Sequence, residues 1–218
     1  MPSAPTGTSY AVLGLLSLRS WTTYELAQQV RRSLNWFWPR AERKLYQEPK
    51  ALVERGLATS RTEHTGRRPR TVYTITPEGR AALREWLNQP AAPRSGESEA
   101  MVKVFFADAG DLEQLDATLS RQGDEAAERI ESLTAMAEAS LDESAFPERL
   151  HLSALSLRLQ LEQELAVLRW TRWAREQVAQ WGSTSDPAGW SAADSLRRLV
   201  DDGRAALAGH GSLAPDRR

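Results

Sequence analysis

The chain of 218 residues contains no cysteine. That excludes disulfides, thiolate metal sites and a cysteine nucleophile, and it fits a reducing compartment. Histidine is nearly as scarce. Its three copies, His64, His151 and His210, are far apart and not at metal-ligand spacing. No Ser/His/Asp set and no glycine-rich phosphate loop is legible. Neither a metal, a cofactor nor an enzymatic activity is therefore expected. Long apolar runs are missing too. The stretch from Tyr10 to Leu18 ends at Arg19 and is too short to cross a bilayer. It carries no basic leader or cleavage site. A soluble, cytoplasmic protein is expected.

What is present is charge, unevenly spread beneath a net value of -1. Residues 1–90 hold 14 Lys+Arg against 7 Asp+Glu, or +7; the remaining 14 and 22 give -8. A basic half joined to an acidic half points to a polyanionic partner for the first half. Between them lies Gln89-Pro90-Ala91-Ala92-Pro93-Arg94-Ser95-Gly96, rich in breakers. This places a first domain at 1–90, a linker at 91–97, a second domain at 98–208 and a disordered tail at 209–218.

In the first half, Val12, Leu15 and Leu16 predict a helix from Tyr10 to Leu18. Thr22 and Glu25 have capping-box spacing and open a second helix with Leu26, Val30 and Leu34 inward. A third runs from Pro39 to Gly56, with Leu45 and Leu52 inside and Pro49 as a kink. Strands are predicted at 57–62 and 71–76, around a loop from Glu63 to Arg70. Thr76-Pro77 starts a fourth helix facing Leu83, Trp86 and Leu87 inward.

The second half reads as helical. Leu112, Leu115, Leu119, Ala126, Ile130, Leu133, Ala137 and Leu141 form one stripe. After Pro147 a long helix to Trp181 carries two stripes, Leu152, Leu155, Leu159, Trp170 and Trp173, then Leu157, Leu161, Leu165 and Leu168. A helix this broadly apolar has neighbours on two sides. Leu152, Leu155, Leu159, Leu161, Leu165 and Leu168 are therefore candidates for a subunit interface; the alternative is a larger monomeric bundle. A short amphipathic helix from Ser191 to Leu207 follows.

Two cationic features stand out. On the third helix, Arg40, Arg43, Lys44, Gln47 and Lys50 share one face. Arg and Gln suit base edges, and Lys neutralises phosphates. On the predicted loop, Arg67, Arg68 and Arg70 follow Thr65 and Gly66, a composition suited to phosphates or a narrow minor groove. Either alone can be a solvated surface; a cationic helix followed by a cationic hairpin points to duplex DNA. Tyr24, Tyr46 and Tyr73 complete the candidate DNA-binding set. Among eight tryptophans, Trp36 and Trp38 precede the third helix, where packing is one use.

Leu13-Gly14-Leu15-Leu16, Tyr24-Glu25-Leu26, Leu45-Tyr46, Leu52, Gly56-Leu57, Tyr73, Thr76, Gly79 and Trp86-Leu87 resemble the DNA-binding domain of PadR-type transcriptional regulators over residues 9–90. Residues 98–182, with Val104-Phe105-Phe106 and paired long helices, resemble the C-terminal domain of AphA-type virulence activators. Gln47 follows Tyr46 where the family often has proline. The resemblance implies a mainly α fold: a winged helix-turn-helix with a two-stranded β wing, then a long-helix dimerisation domain. It further implies a homodimeric regulator on an inverted-repeat operator, repression as the default, and a small aromatic effector. Trp170 and Trp173 could line such an effector site or simply pack an interface. The rival reading is a non-enzymatic protein-interaction module on a winged-helix scaffold.

Overall fold

The computed structural model describes residues 4–34, 37–38, 46–65, 68–93, 96–142 and 144–211. The chain divides into two compact units, Met1–Ser95 and Gly96–Arg218.

In the first unit, α1 (Gly7–Leu18) begins three residues before the predicted Tyr10. Thr6 and Ser9 form a capping box: the Ser9 N–H donates to Thr6 Oγ1, and the Thr6 N–H donates to Ser9 Oγ. These bonds satisfy donors that a helix start leaves free. Val12, Leu13, Leu15 and Leu16 are buried. A two-residue strand, β1 (Trp21–Thr22), follows. Trp21 is buried and donates from Nε1 to Leu15 O at 2.7 Å. α2 (Thr23–Gln29) opens on the capping box legible at Thr22 and Glu25, and continues as a π-helical turn, Val30–Leu34. Leu26 and Val30 have no exposed surface.

The prediction of a Pro49 kink is corrected. α3 (Glu48–Glu54) begins beyond a turn at Tyr46 and Gln47, so Pro49 sits in its first turn. There its missing N–H would lack a helical partner anyway. Residues 39–45, the first part of the predicted third helix with Leu45, lie outside the described residues. The helix ends as expected at Gly56, whose φ of 73° suits glycine. The Gly56 N–H donates to Val53 O and the Leu57 N–H to Leu52 O, each at 2.9 Å. This pair of bonds is a Schellman motif.

The strands are longer than predicted. β2 (Ala58–Thr65) and β3 (Arg68–Ile75) absorb most of the expected loop. Their register continues through Glu63↔Arg70, His64↔Pro69 and Thr65↔Arg68. One cross-strand charge pair supports the extension: Arg70 Nη2 lies 2.8 Å from Glu63 Oε2. Within β2, Arg61 also pairs with Glu63. Pro69, which lacks a ladder donor, sits beyond the short pairing of β1 with Val72 and Tyr73. β1 makes the sheet three-stranded and antiparallel, in the order β1-β3-β2, one strand more than expected.

α4 (Pro77–Asn88) is capped by Thr76, whose Oγ1 accepts from the Gly79 N–H at 3.0 Å. A Cβ at position 79 would meet Leu57 O at 2.1 Å, so glycine permits this close approach. Trp86 stacks on Tyr10 at 4.9 Å. Leu87, expected to face inward, is exposed; the α1–α4 contact turns on Trp86 and leaves Leu87 outside it.

In the second unit, α5 (Glu99–Phe105) and a short 3-10 turn, Ala107–Ala109, precede α6 (Leu112–Asp142). Another 3-10 turn, Pro147–Arg149, leads to α7 (Leu150–Val178). The two long helices run antiparallel: Asp116 pairs with Arg175, Gly123 approaches Thr171, and Arg129 pairs with Glu164. Leu115, Leu119, Ala174 and Val178 form a core cluster, covered by Val104, Leu112, Trp170 and Trp181. Farther along α6, Ala126 and Leu133 are also buried.

The buried face of α7 is neither predicted leucine stripe. It comprises Gln160, Thr171, Ala174 and Val178, and at 3.6 residues per turn the two stripes flank it. Small and polar side chains let the helices approach closely; a Cβ on Gly123 would stand 3.0 Å from Thr171 Oγ1. The last helix, α8 (Ala192–Gly211), runs past Gly209, the predicted start of the tail. Among the described residues no helix is long and apolar enough to cross a membrane.

Candidate functional site

The first unit presents polar side chains from three elements. At the start of α2, Tyr24 is exposed and its hydroxyl accepts from Gln28 Nε2 at 3.0 Å. At the start of α3, Tyr46, Gln47 and Lys50 are all exposed, with Gln47 at the N-cap. On β3, exposed Arg70 holds Glu63 through Nη2 at 2.8 Å and Nε at 3.2 Å. That ion pair offsets part of the Arg70 charge but leaves it on the surface.

Two of these elements meet. Thr22, Thr23, Tyr24, Glu25, Arg70 and Thr71 line one open cleft of about 470 Å³. The pairing of Thr22 with Val72 brings the start of α2 beside Arg70 and Thr71. Tyr24 and Arg70 were legible as candidates; the hydroxyls of Thr22, Thr23 and Thr71 were not, because a two-residue strand leaves no pattern to read. Within the cleft, the Thr22 backbone N–H donates to Glu25 and holds its carboxyl below the usual range. Partial burial opposes that shift, and the Thr22 hydroxyl and Arg19 add to it.

The remaining candidates separate into three groups. Tyr73 is corrected: at 4% exposure it is a core side chain, paired with Trp21 across the sheet, and is not available to a ligand surface. Thr65 and Arg68 form the last strand pair at the hairpin end. Arg40, Arg43, Lys44 and Arg67 lie outside the described residues. The buried side of α3 is held by a bond that sequence reasoning missed. Ser9 Oγ donates to Glu48 Oε2 at 2.8 Å, with both residues buried.

In the second unit, Leu152, Leu155 and Leu159 are exposed, while Leu161, Leu165 and Leu168 are half-buried. Trp170 packs against the core cluster and Trp173 stands exposed. Beside the cluster, Asp116 accepts two bonds from Arg175, at 2.7 and 3.0 Å. Those bonds hold the Asp116 carboxyl below its usual range. Among the described residues no group of three His, Asp or Glu is placed to hold a metal ion.

The helices α1 to α4 with their antiparallel hairpin define a winged helix. Residues 12–85 match the Transcriptional regulator PadR-like family, and residues 98–179 match the Virulence activator alpha C-term family. One match falls in each of the two units of the chain. It is 33% identical over 100 residues to the negative transcriptional regulator PadR of Bacillus subtilis, covering 44% of this chain and 54% of that protein. The chain spans about half the length of the curated relatives it matches. The crystal structure of Bacillus subtilis PadR in complex with operator DNA superposes with a TM-score of 0.68 at 25% identity, covering 78% of this chain and 98% of that one. The Vibrio cholerae virulence activator AphA gives 0.63 at 23% identity, covering 79% and 98%. Bacillus subtilis PadR has a further crystal structure with p-coumaric acid.

Proposed function

We propose that this protein is a sequence-specific DNA-binding transcriptional regulator that acts as a homodimer. The observation that carries the proposal is the meeting of Tyr24 and Arg70, from the helix-turn-helix and the wing, on one open cleft. A phosphate placed there would meet the Arg70 guanidinium and several hydroxyls, which position a duplex without reading its sequence, while the Glu25 carboxylate on the same lining is occupied by the Thr22 N–H, the Thr22 hydroxyl and Arg19. The exposed Gln47 and Lys50, with Arg40, Arg43 and Lys44 before them, are the proposed readers of base edges and their flanking phosphates. Thr65 and Arg68, the last strand pair of the hairpin, are proposed with Arg67 to hold the neighbouring backbone or minor groove.

A two-fold pair built on the exposed leucines of α7 would set two such surfaces on successive major grooves, roughly 34 Å apart, and so favour an inverted repeat. Repression is the sign supported by the negative regulator PadR. Release by a small aromatic acid follows from the p-coumaric acid complex of that relative. Trp173, exposed and close to Trp170 on α7, is the proposed contact; quenching of tryptophan fluorescence by such acids measures it.

The test of DNA binding uses Arg70. Arg70→Ala is expected to weaken binding to every duplex and to reduce the log–log salt slope by roughly one unit. Glu63→Gln, which frees Arg70 from its ion pair, is expected to strengthen binding. Unchanged slopes in both variants would refute the wing's role.

A further inference from the structure

We propose that α8 is a dimer arm whose apolar face is covered by a second copy of this chain. The helix lies beyond the domain matched at residues 98–179, so it is an addition to that domain. Leu196, Leu199, Val200 and Leu207 are 62%, 67%, 44% and 72% exposed. Helical spacing puts all four on one face, around Gly203 and Ala206. An isolated helix of this length, carrying Gly203 and Gly209, is marginal in water and takes its stability from packing an apolar face. This face has no such cover within the described chain.

The helix is not a loose tail. Its root is fastened to the second unit: Trp190 packs on Trp181 at 5.5 Å, and Thr184 Oγ1 donates to Gly110 O at 3.0 Å. The Gly182 and Ser183 N–H groups both donate to Asp186 O. A fastened root presents the apolar face at a defined place.

Charge decides the occupant. The polar side of α8 carries Asp194, Asp201 and Asp202 against Arg197, Arg198 and Arg204, which balance. DNA or an anionic membrane would call for a net cationic face. A strongly charged partner protein would call for a surplus of the opposite sign. A second copy needs neither. The second unit also exposes apolar residues for an arm to cover, Met101, Val102 and Phe105 on α5, apart from the α7 leucines of the proposed two-fold pair. A standard stable interface buries on the order of 1,600 Å² in total, and two reciprocal arms, each with the surface it covers, bring four apolar faces towards it.

The arm rests on the proposed homodimer and is tested on full-length protein without DNA: a wild type that stays monomeric overturns the homodimer itself, whereas a wild-type dimer that the variant leaves unchanged overturns the arm alone. Leu199→Asp with Leu207→Asp is expected to raise the dimer dissociation constant by tenfold or more in sedimentation equilibrium. Because the chain has no cysteine, Arg204→Cys also accepts a single benzophenone maleimide without disturbing the apolar face. Irradiation is expected to give products of twice the chain mass. An unchanged dissociation constant in a folded double variant overturns the arm. So do photoproducts confined to the single-chain mass, which would fold α8 onto its own chain, or products formed only with a different added protein.

Discussion

In the first unit Leu13, Leu16, Leu26 and Leu52 have almost no exposed surface, whereas in the second Phe105, Leu141, Leu155 and Leu207 are mostly exposed. The first unit closes a core by itself. It surrounds α1 with α3, α4 and the sheet; Thr6, Thr22 and Thr76 cap the starts of α1, α2 and α4, and Gly56 closes the end of α3. The second unit is chiefly two long helices touching along one narrow face, with a core cluster at one end. Two helices alone cannot cover the apolar flanks that each carries. One unit therefore has the make-up of a finished domain and the other of half an assembly.

That contrast can be broken by mutation. Leu52→Ala removes a fully buried side chain and is expected to cost about 2–5 kcal/mol at any protein concentration. Leu155→Ala should change a dilute single chain by no more than about 0.5 kcal/mol, since the residue is 72% exposed. Its effect should emerge only as concentration rises into the dimer range. Denaturant unfolding across a concentration series separates the two, and equal losses at high dilution would end the distinction.

A smaller effect sharpens the first half of the comparison. Thr22→Ala removes the cap of α2 and one reciprocal bond to Glu25, at about 1 kcal/mol. It should also widen the cleft beside Arg70, which amide exchange at the start of α2 would register.

The smallest effect concerns the second unit. The Asp116 carboxyl titrates below its ordinary 3.8 in the folded chain because Arg175 binds its charged form. Its contribution is thus fully present at neutral pH and is lost as pH falls below that ordinary value. Both side chains are well exposed, so solvent screens the pair. Asp116→Asn should make thermal unfolding of this unit slightly less sensitive to acid. An identical acid slope in the variant would show that the pair adds nothing to stability.

Much of this architecture could be read from the chain because local chemistry specifies it. The Thr22–Glu25 capping box, the glycine at position 56 and the α6 leucines each act within a few residues of their own position. What escaped depends on partners distant in sequence. Arg70 and its neighbours looked like loop because arginine and proline are poor strand residues; Glu63 directly across the hairpin reverses that preference. Tyr73 looked available because strand alternation cannot say which side β1 will cover. Pro49 looked like an interruption because the helix start at Glu48 has no strong capping side chain. On α7 the leucines drew attention, yet Gln160 and Thr171 face α6, since a close approach selects for size as well as hydropathy. Within the candidate site, the individual residues were visible and their meeting was not.

The hidden bond between Ser9 and Glu48 has a consequence for how such a protein can diversify. α3 is fastened through its concealed side, by a hydroxyl belonging to α1. Gln47 and Lys50 point outward from the same turn and take no part in that fastening. Substitutions at these outward positions can therefore accumulate while the scaffold keeps its pose, so descendants can acquire new targets without first learning to fold again.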